Sequence, residues 1–179
     1  IEIDSTNAYS YHRLADVYIE LEDYEKALED FTSAIGLDKD NPERYDDRAD
    51  CYIAMEKYTD ALKDYDKAID LAPENPYYYN QRADFYETQE NYDEALKDYA
   101  TVIEISTDDY ETTRAINDRA VIYADQGKHD LAIEEYTKAI EINPENPLFY
   151  ENRGRRYLVK EVYDQSLANF TSAIDLDKE

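Results

Sequence analysis

A single cysteine, Cys51, among 179 residues excludes an internal disulfide. Such sparing use of thiol suits a reducing compartment such as the cytoplasm. Glycine is scarce, at three residues, and 42% of the chain is hydrophobic, which excludes a disordered polymer despite the charge. No stretch approaches the ~18 apolar residues of a membrane span, and nothing resembles a signal peptide. Positive charge is short: 19 basic residues face 44 acidic ones, a formal net charge of −25. Such a field repels nucleic acid and anionic membranes, keeps the chain soluble and favours cationic partners at low salt.

Histidine is nearly absent too. His12 and His129 are the only two, and no glycine-rich phosphate loop, metal-spaced Cys/His cluster or nucleophile motif accompanies them. The loops lack the alternating Asp/Asn pattern with a central glycine that calcium needs. No catalytic residue, cofactor or metal site is therefore expected. His12 is expected on an exposed helical face. His129 falls in a column otherwise filled by Tyr24, Tyr58, Tyr92 and Tyr163, where it packs. Cys51 shares a column with Val17, Phe85 and Ile122, which predicts a buried, inert thiol.

What the chain has in quantity is tyrosine, and it is periodic. Between Pro42 and Asn75, Tyr45, Ala49 and Tyr52 share one helical face. Ala61, Tyr65, Ala68 and Leu71 share another, and Tyr58 marks the bend between the two helices. The unit recurs. Ala27, Ala61, Ala95, Ala132 and Ser166 are spaced by 34, 34, 37 and 34 residues. Aligned with them run Tyr11, Tyr45, Tyr79, Ile116 and Tyr150, and then Tyr18, Tyr52, Tyr86, Tyr123 and Tyr157. Small residues (Ala15, Ala49, Ala83, Ala120, Gly154) and aromatics (Phe31, Tyr65, Tyr99, Tyr136, Phe170) complete the pattern. Sixteen of the 20 tyrosines lie in four columns, so the tyrosine bias reflects a repeated packing task.

A period near 34 with small and aromatic columns resembles the tetratricopeptide repeat family in five tandem copies. The resemblance implies an all-α, right-handed superhelical solenoid of antiparallel helix pairs, with first helices lining a concave groove for peptides or partner segments. The expected segments are 8–41, 42–75, 76–112 with a three-residue insertion, 113–146 and 147–179. Residues 1–7 read as the tail of a preceding second helix, because Ile1-Glu2-Ile3-Asp4 matches Ile140-Glu141-Ile142-Asn143. The array is thus expected to be a fragment of a longer one.

Local chemistry marks the joints. Asn41-Pro42, Asn75-Pro76 and Asn146-Pro147 set an asparagine cap before proline at the first helical position. The insertion Tyr110-Glu111-Thr112 follows Asp108, which predicts a fourth repeat starting about one turn early. The inter-helix bend carries Glu22, Glu56, Glu90, Gly127 and Glu161, whereas the family favours glycine. These glutamates are expected to avoid the left-handed region. Where the family often has leucine, the chain has Leu14 once and then Arg48, Arg82, Arg119 and Arg153. Pairs Asp30–Arg48, Asp64–Arg82, Asp98–Arg119 and Glu135–Arg153 would form a ladder across repeat boundaries.

The candidate groove follows from the columns left over. Its candidate peptide contacts are Tyr9, His12, Arg13, Asp16, Asp46, Asp47, Asp50, Tyr77, Asn80, Gln81, Asp84, Asn117, Asp118 and Arg155. Its centre is acidic, which disfavours the acidic C-terminal tails that chaperone-binding members of the family clamp. A protein or peptide partner of basic character is expected. The alternative is an assembly element, in which repeats stack end to end.

Overall fold

The structure, a computed structural model, describes residues 7–178. The expected helix tail over residues 1–7 therefore lies, but for Asn7, outside the described residues. Ten helices and no strands are found among them: α1 (Ala8–Glu20), α2 (Tyr24–Leu37), α3 (Pro42–Ala54), α4 (Tyr58–Leu71), α5 (Pro76–Thr88), α6 (Tyr92–Ile105), α7 (Asp109–Asp125), α8 (His129–Ile142), α9 (Pro147–Val159) and α10 (Tyr163–Leu176). Consecutive helices pack as pairs, as in α1 with α2, α3 with α4, α7 with α8 and α9 with α10. The chain forms two compact units, Ile1–Arg82 and Ala83–Glu179.

Asparagine caps start the helices as the Asn-Pro pairs predict. The Oδ1 atoms of Asn41, Asn75 and Asn146 accept from the amides of Glu43, Tyr77 and Leu148 at 3.0, 3.1 and 3.0 Å. At the insertion, α7 runs for 17 residues where α3 and α9 run for 13, so it does start early. Asp108 Oδ1 accepts from Tyr110 N and Glu111 N, while the Asp108 amide is taken by Ser106 Oγ at 3.2 Å.

The bends correct one expectation. Glu22, Glu56, Glu90 and Glu161 have φ of 57°, 58°, 57° and 60°, beside Gly127 at 72°. They do occupy the left-handed region. The cause is helix closure: the amides of Asp23, Lys57, Asn91, Lys128 and Val162 reach back to the carbonyls of Tyr18, Tyr52, Tyr86, Tyr123 and Tyr157, at 2.8–2.9 Å. This six-to-one bond needs a left-handed residue just before it, whatever the side chain. Non-glycine residues there are strained by about 1–2 kcal/mol. Glu56→Gly is accordingly expected to raise stability by roughly 0.5–1 kcal/mol, after the added unfolded-state freedom of glycine is set against the relieved strain. Urea unfolding checks this, and a loss of stability would contradict it.

Alanine makes the close approaches. Ala15, Ala27, Ala49, Ala61, Ala83, Ala95, Ala120 and Ala132 are all fully buried. In the first unit Ala15 and Ala27 pack with Phe31 and Cys51, and Ile35, Tyr45, Ala68, Ile69 and Tyr78 form a second cluster. In the second unit Ala120, Ala124, Ala132 and Tyr136 form one cluster, and Ile116, Ala139 and Phe149 another. Each large side chain buried this way contributes about 2–3 kcal/mol. Cys51 is buried as expected, and burial pushes its thiol up to about 11.

The arginines also correct an expectation. Arg48 grips Asp64 with Nε and Nη2, both at 2.7 Å, within its own repeat. Arg119 pairs with Glu135, and Arg153 Nε donates to Asn169 Oδ1 at 2.8 Å. The expected partners Asp30 of Arg48, Asp98 of Arg119 and Glu135 of Arg153 are replaced. For three of the arginines, what crosses the repeat boundary lies two residues further along the preceding second helix. Arg48 Nη1 donates to Thr32 Oγ1 at 3.2 Å, Arg82 to Asp66, and Arg153 Nη1 to Thr137 Oγ1 at 3.0 Å. Residues two apart point to nearly opposite sides of a helix. Asp64 therefore faces α3, while Asp66 faces the next first helix, where Arg82 stands. Asp30, whose counterpart is Leu14, is half-buried, and burial followed by Glu29 holds its carboxyl above the ordinary value.

Candidate functional site

In the first unit the candidate residues stand on α1, α3 and the start of α5. Tyr9 is exposed, and Arg13 lies over its ring, 5.3 Å from the centroid, donating to its hydroxyl at 3.1 Å and to Asp16 Oδ2 at 2.7 Å. Asp16, Asp47 and Gln81 are half-buried, and Asp50 and Tyr77 are exposed.

One expected groove column is buried instead. His12, Asp46 and Asn80 are only 7%, 2% and 0% exposed. The expectation that His12 sits on an exposed face is thereby corrected. The column lies where successive first helices meet. His12 Nε2 sits 3.1 Å from Asp47 Oδ2 on α3, and the Tyr77 hydroxyl hydrogen-bonds Asp46. Burial first, then Asp50 and Asp47, push the Asp46 carboxyl up to about 7. Asp47 also rises to about 7, through burial followed by Glu43, Asp16 and Asp50.

The acidic residues are tied to the aromatic column. Asp50 Oδ1 accepts from the Tyr65 hydroxyl at 2.6 Å. In the second unit Asp84 Oδ1 accepts from the Tyr99 hydroxyl at 2.7 Å, with Glu87 also accepting at 3.0 Å. Both phenols are buried, and burial followed by these carboxylates raises them far above the ordinary tyrosine range. Tyrosine where the first repeat has Phe31 thus places a hydroxyl under each acidic position. Sequence columns show the alternation but not the bond.

A concavity of about 370 Å³ opens among α1, α2 and α3, with Asp16, Glu20, Asp47 and Asp50 around Tyr24 and Phe31. The second unit has a comparable one of about 480 Å³, lined by Asp84, Glu87, Tyr92, Tyr99, Arg114 and Asp118. There Arg114 Nη2 meets Asp84 Oδ2 at 2.5 Å and its Nε lies 3.7 Å from Asp118. The Asp118 carboxyl is nevertheless pushed up to about 6, chiefly by burial. Asn117 donates to Asp118 at 3.1 Å and accepts from Asn152 at 3.3 Å. Arg155 is exposed and pairs with Glu151. Arg153 is committed to Asn169 and Thr137.

Tetratricopeptide repeat family models match residues 8–41, 47–75 and 76–145. The chain belongs to the tetratricopeptide repeat family. No curated protein matches this repeat protein. Solved structures share its fold. The C-terminal part of a TPR repeat-containing protein from Cytophaga hutchinsonii has a TM-score of 0.82 at 17% identity, covering 96% of this chain and 67% of that one. MamA 41-end from Desulfovibrio magneticus RS-1 has a TM-score of 0.76 at 19% identity, covering 98% and 96%. YrrB, described as a TPR protein with an unusual peptide-binding site, has a TM-score of 0.70 at 23% identity, covering 100% and 91%. As a tetratricopeptide repeat protein, the chain is a protein-interaction scaffold.

Proposed function

We propose that this scaffold is non-enzymatic and that its acidic first-helix face binds a basic peptide or partner segment. The observation that carries the reading is the concavity whose lining joins the acidic rim residues Asp16, Glu20, Asp47 and Asp50 to the aromatic Tyr24 and Phe31. Lysine and arginine side chains bring an apolar stem for such aromatics and a charged head for such a rim. A formal charge of −25 draws such segments in and repels nucleic acid and anionic membranes. The peptide-binding site of YrrB supports the mode. No helix among the described residues is long and apolar enough to cross a membrane, and the buried, unpaired thiol fits work in a reducing compartment, the cytoplasm.

Neutralising the rim tests the reading. Asp50→Asn with Glu20→Gln keeps an acceptor for the Tyr65 hydroxyl while removing two charges from the rim. Fluorescence anisotropy with a lysine- and arginine-rich peptide is expected to show affinity about five- to tenfold lower, since a charge-assisted contact contributes about 1 kcal/mol or more. Unchanged affinity would count against the groove.

A second reading, end-to-end stacking, is favoured by the apolar surface of α9 and α10, where Leu148, Leu167 and Ile174 are 47%, 66% and 57% exposed. Light scattering that grows with concentration supports stacking, and a constant monomeric mass supports the peptide-binding module.

A further inference from the structure

The junction of α1 and α3 carries a second chemistry, and it shares Asp16 and Asp47 with the proposed peptide rim. We propose that His12, Asp16, Glu43 and Asp47 form a site for a divalent transition-metal ion. His12 and Asp16 stand one turn apart on α1, and Glu43 and Asp47 stand one turn apart on α3, so each helix offers two donors on one face. Sites of this kind in helical proteins are assembled from side chains on facing helices.

The distances suit a shared ion. Donor atoms of His12, Glu43 and Asp47 all lie within 4.8 Å of one another. His12 Nε2 is 3.1 Å from Asp47 Oδ2 and 3.8 Å from Asp16 Oδ1. Two ligands each about 2.0–2.2 Å from a zinc ion stand about 3–4 Å apart. The imidazole is already oriented: its side chain is 9% exposed and it packs edge-to-face on Phe31, with centroids 5.6 Å apart. Arg13 holds the Oδ2 atom of Asp16, which leaves Oδ1 turned toward His12. A small cavity of about 50 Å³ adjoins His12 and Glu43. Its two cations are engaged, Arg13 by Tyr9 and Asp16 and Arg44 by Asp38.

The donor set selects the ion class. One imidazole with three carboxylates suits Zn²⁺, Co²⁺ or Mn²⁺, whereas Ca²⁺ and Mg²⁺ take oxygen shells. The repeat supplies its own controls. The same four positions read Asp46, Asp50, Tyr77 and Gln81 at the next junction, and Asn117, Val121, Leu148 and Asn152 between the last two repeats. Folding therefore does not demand an imidazole and three carboxylates there. Bound at this place, an ion would tie the first two repeats together.

Isothermal titration of the intact chain with Zn²⁺, in the presence of excess Mg²⁺, tests the site. One saturable equivalent is expected, weakened at least tenfold by Glu43→Gln and by His12→Gln, with a Zn²⁺-dependent rise in Tm lost in both. Glu43 is exposed, so its variant keeps the wild-type circular dichroism even if His12→Gln loosens the fold. Zn²⁺ affinity unchanged in Glu43→Gln, displacement of Zn²⁺ by Mg²⁺, or the absence of saturable binding would each overturn the proposal.

Discussion

Arg48→Ala is expected to destabilise the first unit by about 3–5 kcal/mol, the cost of leaving a buried charge unpaired. The guanidinium and the Asp64 carboxylate are 15% and 8% exposed and meet through two hydrogen bonds of 2.7 Å. Tyr45 and Tyr52 flank the guanidinium, with centroids 5.8 and 5.7 Å from Cζ. Removing the arginine thus strands Asp64 in a site with little water. Lysine is a poor replacement, because one ammonium cannot span both oxygens. The paired exchange Arg48→Met with Asp64→Leu is expected to lie close to wild type, since it removes the charge and its partner together. Denaturant unfolding of the three variants distinguishes the cases. A loss below about 1 kcal/mol for Arg48→Ala would put the pair with ordinary surface salt bridges.

Asp118→Asn is expected to act in the opposite direction, with an effect that grows between about pH 4 and 6 and is full above it. The folded carboxyl is raised from 3.8 to about 6, by burial first, with Asp84 and Glu87 adding to it and Asn117 and Arg114 opposing it. A folded value above the unfolded one means that folding favours the protonated acid. Its contribution is complete below about pH 4 and is lost as pH rises through 6. The full shift corresponds to about 3 kcal/mol, and with the side chain 24% exposed roughly 2 kcal/mol is the expected effect. The amide keeps the acceptor for Asn117 and carries no charge. Unfolding at pH 8 should therefore show the variant more stable than wild type by roughly that amount, with the difference gone at pH 4. A variant less stable at pH 8 would show that the charge is held by Arg114 rather than opposed by its surroundings.

Much of the architecture is written locally. Asn41-Pro42 specifies a cap and a first turn without reference to anything distant, and Asp108 does the same for the early start of α7. The failures lie in how a helix closes and in what a second helix brings to it. Glu56 looked unsuited to the left-handed region because side-chain preference was weighed without the Lys57-to-Tyr52 bond that closes the helix. Spacing places both Asp30 and Asp64 near Arg48, and only the facing of α4 decides for Asp64. Asp46 looked like a groove carboxylate because α5, which brings Tyr77 over it, has no signature in the columns around Asp46. The same limit hides the grouping of His12 on α1 with Glu43 and Asp47 on α3, which are about one repeat apart in sequence and share no local motif.

The acidic face as a receptor for basic segments is tested most directly by salt. Two peptides of equal length, one rich in lysine and arginine and one rich in aspartate and glutamate, are titrated into the intact chain at about 50 mM and about 200 mM salt. The cationic peptide is expected to bind, weakening at least several-fold at the higher salt as the surface charges are screened. The anionic one is expected to show no binding. Tight binding indifferent to salt, or a preference for the acidic peptide, would contradict the proposed function.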